Sequence, residues 1–150
     1  MGLNSNGPGI ALNSEILTGI LLVDDEEEFI STLSERLESR NIESSVVFSG
    51  EEALAQIEKK IPRVMVLDLK MPGVDGMEVL RRVKRNSSFT EVIILTGHGS
   101  DADKELAKEL GAFAYYRKPV DINTLTQTLR EAYMRSEKME DGRISDINDL

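Results

Sequence analysis

Along this chain, short apolar runs alternate five times with stretches of helical periodicity. Ile20, Leu21, Leu22 and Val23 form the first run, and Phe29, Ile30, Leu33 and Leu37 follow at helical spacing with charged residues between them. Val46, Val47 and Phe48 read as a second strand. Ala53, Leu54, Ile57 and Ile61 give a second helical face, which Pro62 ends. Residues 64–67 form a third strand, and Gly76, Val79, Leu80 and Val83 mark a third helix. Residues 92–95 form a fourth strand. The next helix starts near Asp101, holds Leu106 and Leu110, and stops at Gly111. Residues 112–116 are the fifth strand, and Asp121 is placed to cap a last helix with Ile122, Leu125, Leu129 and Tyr133 on one face.

Five strand–helix units in strict alternation predict an α/β fold: a doubly wound (βα)5 three-layer sandwich with a parallel five-stranded sheet. The strands are unbroken apolar runs rather than alternating ones, which fits a sheet covered on both faces. Beyond Met134 the chain turns polar. The expected organisation is a flexible leader over residues 1–15, one domain over 16–135, and a polar tail or the start of a linker over 136–150.

Composition narrows the function. The chain has 150 residues, 40% hydrophobic and 30% charged, a balance that suits one globular domain with a single core. Its net charge of −9 is the opposite of the basic footprint that direct nucleic-acid binding needs. With no cysteine, disulfides, zinc–thiolate sites and thiol nucleophiles are excluded, which fits a reducing cytoplasm. No apolar stretch approaches the roughly 20 residues of a membrane span, and the N-terminus lacks the basic and apolar regions of a signal peptide. The expectation is a cytoplasmic protein without membrane insertion.

The chemistry gathers at the strand ends. Asp24 and Asp25 follow the first strand, Asp68 the third, Thr96 the fourth and Lys118 the fifth. In parallel α/β sheets the strand ends are where ligands bind. A strand order of 2-1-3-4-5 would bring all five residues to one cleft. Three carboxylates that close repel one another unless a cation lies between them. Oxygen ligands without His or Cys favour Mg²⁺ or Mn²⁺. A lysine and a threonine beside them supply an ammonium and a hydroxyl donor for phosphate oxygens, and an ionised aspartate is a competent nucleophile. Alone, each residue reads as an ordinary cap, turn or loop side chain. Four such coincidences at neighbouring strand ends do not.

These residues carry a resemblance. Leu22-Val23-Asp24-Asp25, Asp68 with Met71-Pro72-Gly73 and Asp75-Gly76, Leu95-Thr96-Gly97, and Lys118-Pro119 occur in order between about Gly19 and Tyr133. The chain resembles the receiver domain of two-component response regulators, whose fold is flavodoxin-like with sheet order 2-1-3-4-5. The resemblance implies that Asp68 accepts a phosphoryl group from a sensor histidine kinase, a phosphotransfer protein or a small phosphodonor. It implies that Asp25 and Asp68 ligate Mg²⁺, with Asp24 supporting through water and the Lys70 backbone carbonyl completing the set. Thr96 and Lys118 would bind the phosphoryl oxygens. Tyr115 matches a switch position that remodels the surface of the fourth helix, fifth strand and fifth helix, where an output partner or a second copy binds. Lys70 and His98 match positions that tune autodephosphorylation. The implied protein is a signalling switch that catalyses only its own phosphoryl chemistry, not a metabolic enzyme. An aspartyl-phosphate phosphatase would need a second aspartate where Lys70 stands, and no Gly-rich nucleotide loop is present.

Overall fold

The computed structural model describes residues 15–142. Its ten elements follow the alternation of the sequence: β1 Leu17–Val23, α1 Glu27–Glu38, β2 Ile42–Val47, α2 Gly50–Lys59, β3 Val64–Leu67, α3 Gly76–Asn86, β4 Glu91–Thr96, α4 Asp101–Glu109, β5 Ala114–Arg117 and α5 Ile122–Glu140. All strand pairs are parallel, and the sheet order is β2-β1-β3-β4-β5. The fold is therefore the flavodoxin-like doubly wound sandwich.

β3 and β4 are buried throughout, and β1 from Ile20 on, because both of their faces are covered. Ile20, Leu22, Val64, Val66, Ile93 and Leu95 pack against Ile30, Leu33 and Leu37 of α1 and Ile122, Leu125 and Leu129 of α5. The intervening residues Leu21, Val23, Met65, Leu67, Val92 and Ile94 face Ala53 of α2, Val79, Leu80 and Val83 of α3, and Ala107 of α4. Successive side chains on a strand point to opposite faces, so one apolar run supplies both cores. Each fully buried Leu, Ile or Val contributes about 1.5–3 kcal/mol relative to exposure.

Four of the five helices are capped by side chains, the last by Asp121 as the sequence indicates. Asp75, Ser100 and Asp121 accept hydrogen bonds from the backbone N–H groups of Glu78, Asp103 and Thr124. Ser49 does the same for α2 through Glu52.

Several boundaries differ from expectation: β1 begins at Leu17 rather than Ile20, and Ile61, expected on the second helical face, lies beyond the end of α2 at Lys59. The second strand begins at Ile42 rather than Val46 and takes in Ser44 and Ser45. As an edge strand it tolerates polar residues, and Ser44 shares a 2.7 Å hydrogen bond with Ser34 of α1. The fifth strand runs over Ala114–Arg117 rather than 112–116. Ala112 instead closes the end of α4, its N–H donating to the Ala107 carbonyl at 2.9 Å. The last helix continues to Glu140, so residues 136–140, expected to lie in a polar tail, are helical. Arg63 explains this: its guanidinium donates to Ser136 at 3.3 Å and pairs with Glu140. Residues 1–14 of the expected leader and 143–150 of the expected tail lie outside the described residues.

Candidate functional site

The strand order places the chain's polar strand ends together. Val23 and Leu67 are in register on adjacent β1 and β3, so Asp24 and Asp68 emerge side by side. Backbone bonds fix both: Asp68 N–H donates to the Val23 carbonyl at 3.0 Å and Asp24 N–H to the Val47 carbonyl at 3.2 Å. Asp24 is 1% exposed and Asp68 5%, whereas Asp25 faces solvent. One oxygen from each of the three carboxylates falls within a 4.8 Å cluster. On the far side, Lys118 N–H donates to the Thr96 carbonyl at 2.9 Å, so the two residues leave β4 and β5 together. Thr96 is fully buried. Lys118 precedes Pro119 through a cis peptide bond.

Lys118 is the cation of this cluster. Its Nζ lies 2.7 Å from Asp24 Oδ2, 2.7 Å from Glu26 Oε1 and 3.9 Å from Asp68 Oδ2. It also sits 4.3 Å from the centre of the Phe29 ring. Burial alone would depress this ammonium, but its hydrogen bonds to Asp24 and Glu26 and the nearby charge of Asp68 outweigh it, and Lys118 titrates above its ordinary value. Burial has the upper hand at Asp24. It raises that carboxyl, with Asp68 adding to the rise, against the hydrogen bonds from Lys118 and the Glu26 N–H. The hydrogen bond to Lys118 holds exposed Glu26 below the usual carboxylate range. Among the described residues of this cluster, the carboxylates thus outnumber the ammonium, and the most buried of them resists ionisation.

Close backbone packing completes the site. A Cβ built on Gly76 would lie 2.1 Å from the Asp68 carbonyl oxygen, so only glycine lets the start of α3 approach this loop. A Cβ on Gly99 would lie 1.7 Å from the Tyr115 hydroxyl oxygen and 2.9 Å from Thr96 Cγ2. Tyr115 therefore points inward behind Thr96, and its buried hydroxyl has no hydrogen-bond partner among the described residues. Tyr116 turns to the other face, where its hydroxyl meets Thr128 at 2.6 Å.

Of the residues expected at the site, Asp24, Asp25, Asp68 and Lys118 lie together, with Thr96 beside Lys118 and Tyr115 behind Thr96. Lys70 gives its N–H to Asp68 Oδ1 at 3.3 Å, but its ammonium turns away to Asp103 at 3.4 Å. His98 gives its backbone N–H to Thr96 Oγ1 at 3.4 Å. Glu26 and Phe29 were not expected here. Their positions read as a helix-start acid and a core residue, and no local signal marks their contact with a lysine some 90 positions later. Only the strand order creates it.

Comparison with known proteins places the chain in a family. The family model for the response regulator receiver domain matches residues 20–130. The transcriptional regulatory protein TrcR of Mycobacterium tuberculosis is 36% identical over 121 residues, covering 81% of this chain and 47% of TrcR. The alkaline phosphatase synthesis transcriptional regulatory protein PhoP of Bacillus subtilis is 34% identical over 118 residues, covering 79% of this chain and 49% of PhoP. The chain thus spans about half the length of the curated relatives it matches. A solved receiver domain from Clostridium thermocellum superposes with a TM-score of 0.77 at 33% identity, over 83% of this chain and 99% of that one. An acid cluster at the β1 and β3 ends, a buried threonine ending β4 and a lysine after β5, within a sheet of this order, belong to a chain that is a member of the response regulator receiver domain family.

Proposed function

We propose that this receiver accepts a phosphoryl group on Asp68 from a sensor histidine kinase or phosphotransfer protein and signals through the face formed by α4, β5 and α5. The observation that carries the reading is the 3.9 Å approach of Lys118 to Asp68 inside a cluster of three carboxylates. An Asp68 carboxylate oxygen bonds to phosphorus as the donor's phosphorus–nitrogen bond breaks, its electron pair leaving on the histidine ring. Such transfers rest on positioning and charge neutralisation rather than on a general base. Lys118 neutralises the incoming oxygens. Thr96, its hydroxyl buried at the end of β4, is the second oxygen donor.

The residues fit a divalent cation, since two buried carboxylates and a third beside them carry more negative charge than Lys118 offsets. Asp24, Asp25, Asp68 and the Lys70 carbonyl would hold Mg²⁺ or Mn²⁺, which supplies charge neutralisation to the phosphoryl oxygens when bound.

The unpartnered Tyr115 hydroxyl supports a switch at this position. Leaving a buried hydroxyl unsatisfied costs about 1–3 kcal/mol, so movement of Thr96 toward a phosphoryl group changes the balance of Tyr115 directly. An output partner, or a second copy of the chain in a phosphorylation-dependent dimer, would read the change. No described helix is long and apolar enough to cross a membrane, and a cytoplasmic location is part of this proposal.

Incubation with acetyl phosphate and Mg²⁺, followed by intact mass measurement, tests it. One phosphoryl adduct is expected, absent in Asp68→Asn and with chelator. No adduct with any donor would overturn the reading and leave a docking module.

A further inference from the structure

We infer that the groove between the C-terminal ends of α2 and α3 docks an acidic amphipathic helix of a partner protein. The groove encloses about 630 Å³. Half-buried Leu54 and Ile57 and buried Val83 form its apolar floor, and Ile61 stands at its edge 47% exposed. The hydroxyls within reach are already used: Ser87 and Thr90 bond each other at 2.7 Å, and Thr90 donates to the Pro62 carbonyl at 2.7 Å. These buried hydroxyls are satisfied, and the other polar side chains of the groove, Asn86 among them, are exposed, so recognition rests on apolar contact and on the rim.

The rim sets the partner's charge. Lys59, Lys60 and Arg82 line the groove against one acid, Glu58. Arg82 pairs with Glu78, but Lys59 and Lys60 make no ion pair with any described residue. This local excess of positive charge lies on a chain with net charge −9. Two free ammonium groups flanking an apolar trough complement a helix with apolar anchors along one stripe and carboxylates beside it. A concave apolar floor suits such a helix better than a flat lipid surface or a phosphate backbone. Pro62 and Thr90 precede β3 and β4, so the groove lies at the end of the sheet opposite Asp68. Docking there does not depend on the phosphoryl reading.

The test is fluorescence anisotropy with a labelled helical peptide that carries leucines at i, i+3, i+4 and i+7 with glutamates between them. Saturable, salt-sensitive binding is expected, weakened at least about tenfold by the double variant Lys59→Glu/Lys60→Glu and also by Ile61→Ser. Asp68→Asn should bind as wild type does. Circular dichroism checks that the groove variants, all at exposed positions, keep the fold. Equal binding of a peptide with lysines in place of glutamates, or wild-type affinity in both groove variants, would overturn the inference. So would binding to phosphatidylserine vesicles, lost in the same variants, without binding of the acidic peptide.

Discussion

The two ends of this sheet both bury carboxylates, and they treat them differently. At the N-terminal end, Glu91 is 4% exposed and lies 3.8 Å from Lys84 and 3.4 Å from Arg135. Burial raises its carboxyl, and both cations oppose the rise. Around it, Lys84 donates to the Thr90 carbonyl at 3.0 Å, Thr90 and Ser87 satisfy each other, and Arg63 lies over the Phe89 and Tyr133 rings. There one acid meets two cations. At the C-terminal end, Asp24, Asp25, Asp68 and Glu26 crowd a single lysine, and a buried tyrosine hydroxyl lacks a partner among the described residues. The first arrangement is complete without a ligand. The second is short of positive charge, and it is there that our proposal puts a metal and a phosphoryl group.

Removing the one ammonium should break this contrast most strongly. Lys118→Met leaves Asp24 and Asp68 buried without their counter-charge and should lower stability by about 3 kcal/mol in chelator. Mg²⁺ should restore part of the loss, as read by urea melts with and without metal. At the opposite end, Thr90→Val removes the bonds to Pro62 and Ser87 at a fully buried position. It should cost about 2 kcal/mol, and Mg²⁺ should return none of it.

A pH series sharpens the comparison. The Asp24 carboxyl lies above the ordinary value of 3.8, so the folded protein holds this proton more tightly than the unfolded chain does. That contribution is complete below 3.8 and is lost as pH rises through the folded value, beyond which the buried charge is a net cost. In chelator, Asp24→Asn should therefore be more stable than wild type at neutral pH, and the advantage should vanish in acid. Denaturant midpoints across pH measure this directly. The smallest effect is expected for Glu26→Gln, which frees Lys118 from an exposed partner. The rate of phosphoryl incorporation from acetyl phosphate should shift by no more than about fivefold.

Much of this was legible in the sequence, and the exceptions share a cause. The strand over residues 64–67 needed only its own apolar run, and Asp68 only its place after that run. Asp121 could be read as a cap because capping acts over three residues. The extension of α5 could not be read, because it depends on Arg63, 73 residues before Ser136. Glu26 looked like a helix-start acid because the lysine that claims it lies 92 positions away. The start of the edge strand β2 is hidden in the sequence because Ser44 and Ser45 interrupt its apolar run, and their tolerance comes from exposure at the sheet's edge. Local chemistry was visible; pairings between distant segments awaited the strand order.

The central claim is that the end of the sheet short of positive charge is where phosphorus is covalently held, on Asp68. Borohydride reduces an acyl phosphate to an alcohol and so converts a phosphorylated aspartate to homoserine. After treatment with acetyl phosphate, Mg²⁺ and borohydride, peptide mapping should find homoserine at position 68 and aspartate at positions 24 and 25. Homoserine at either of those positions, or at none, would contradict the account.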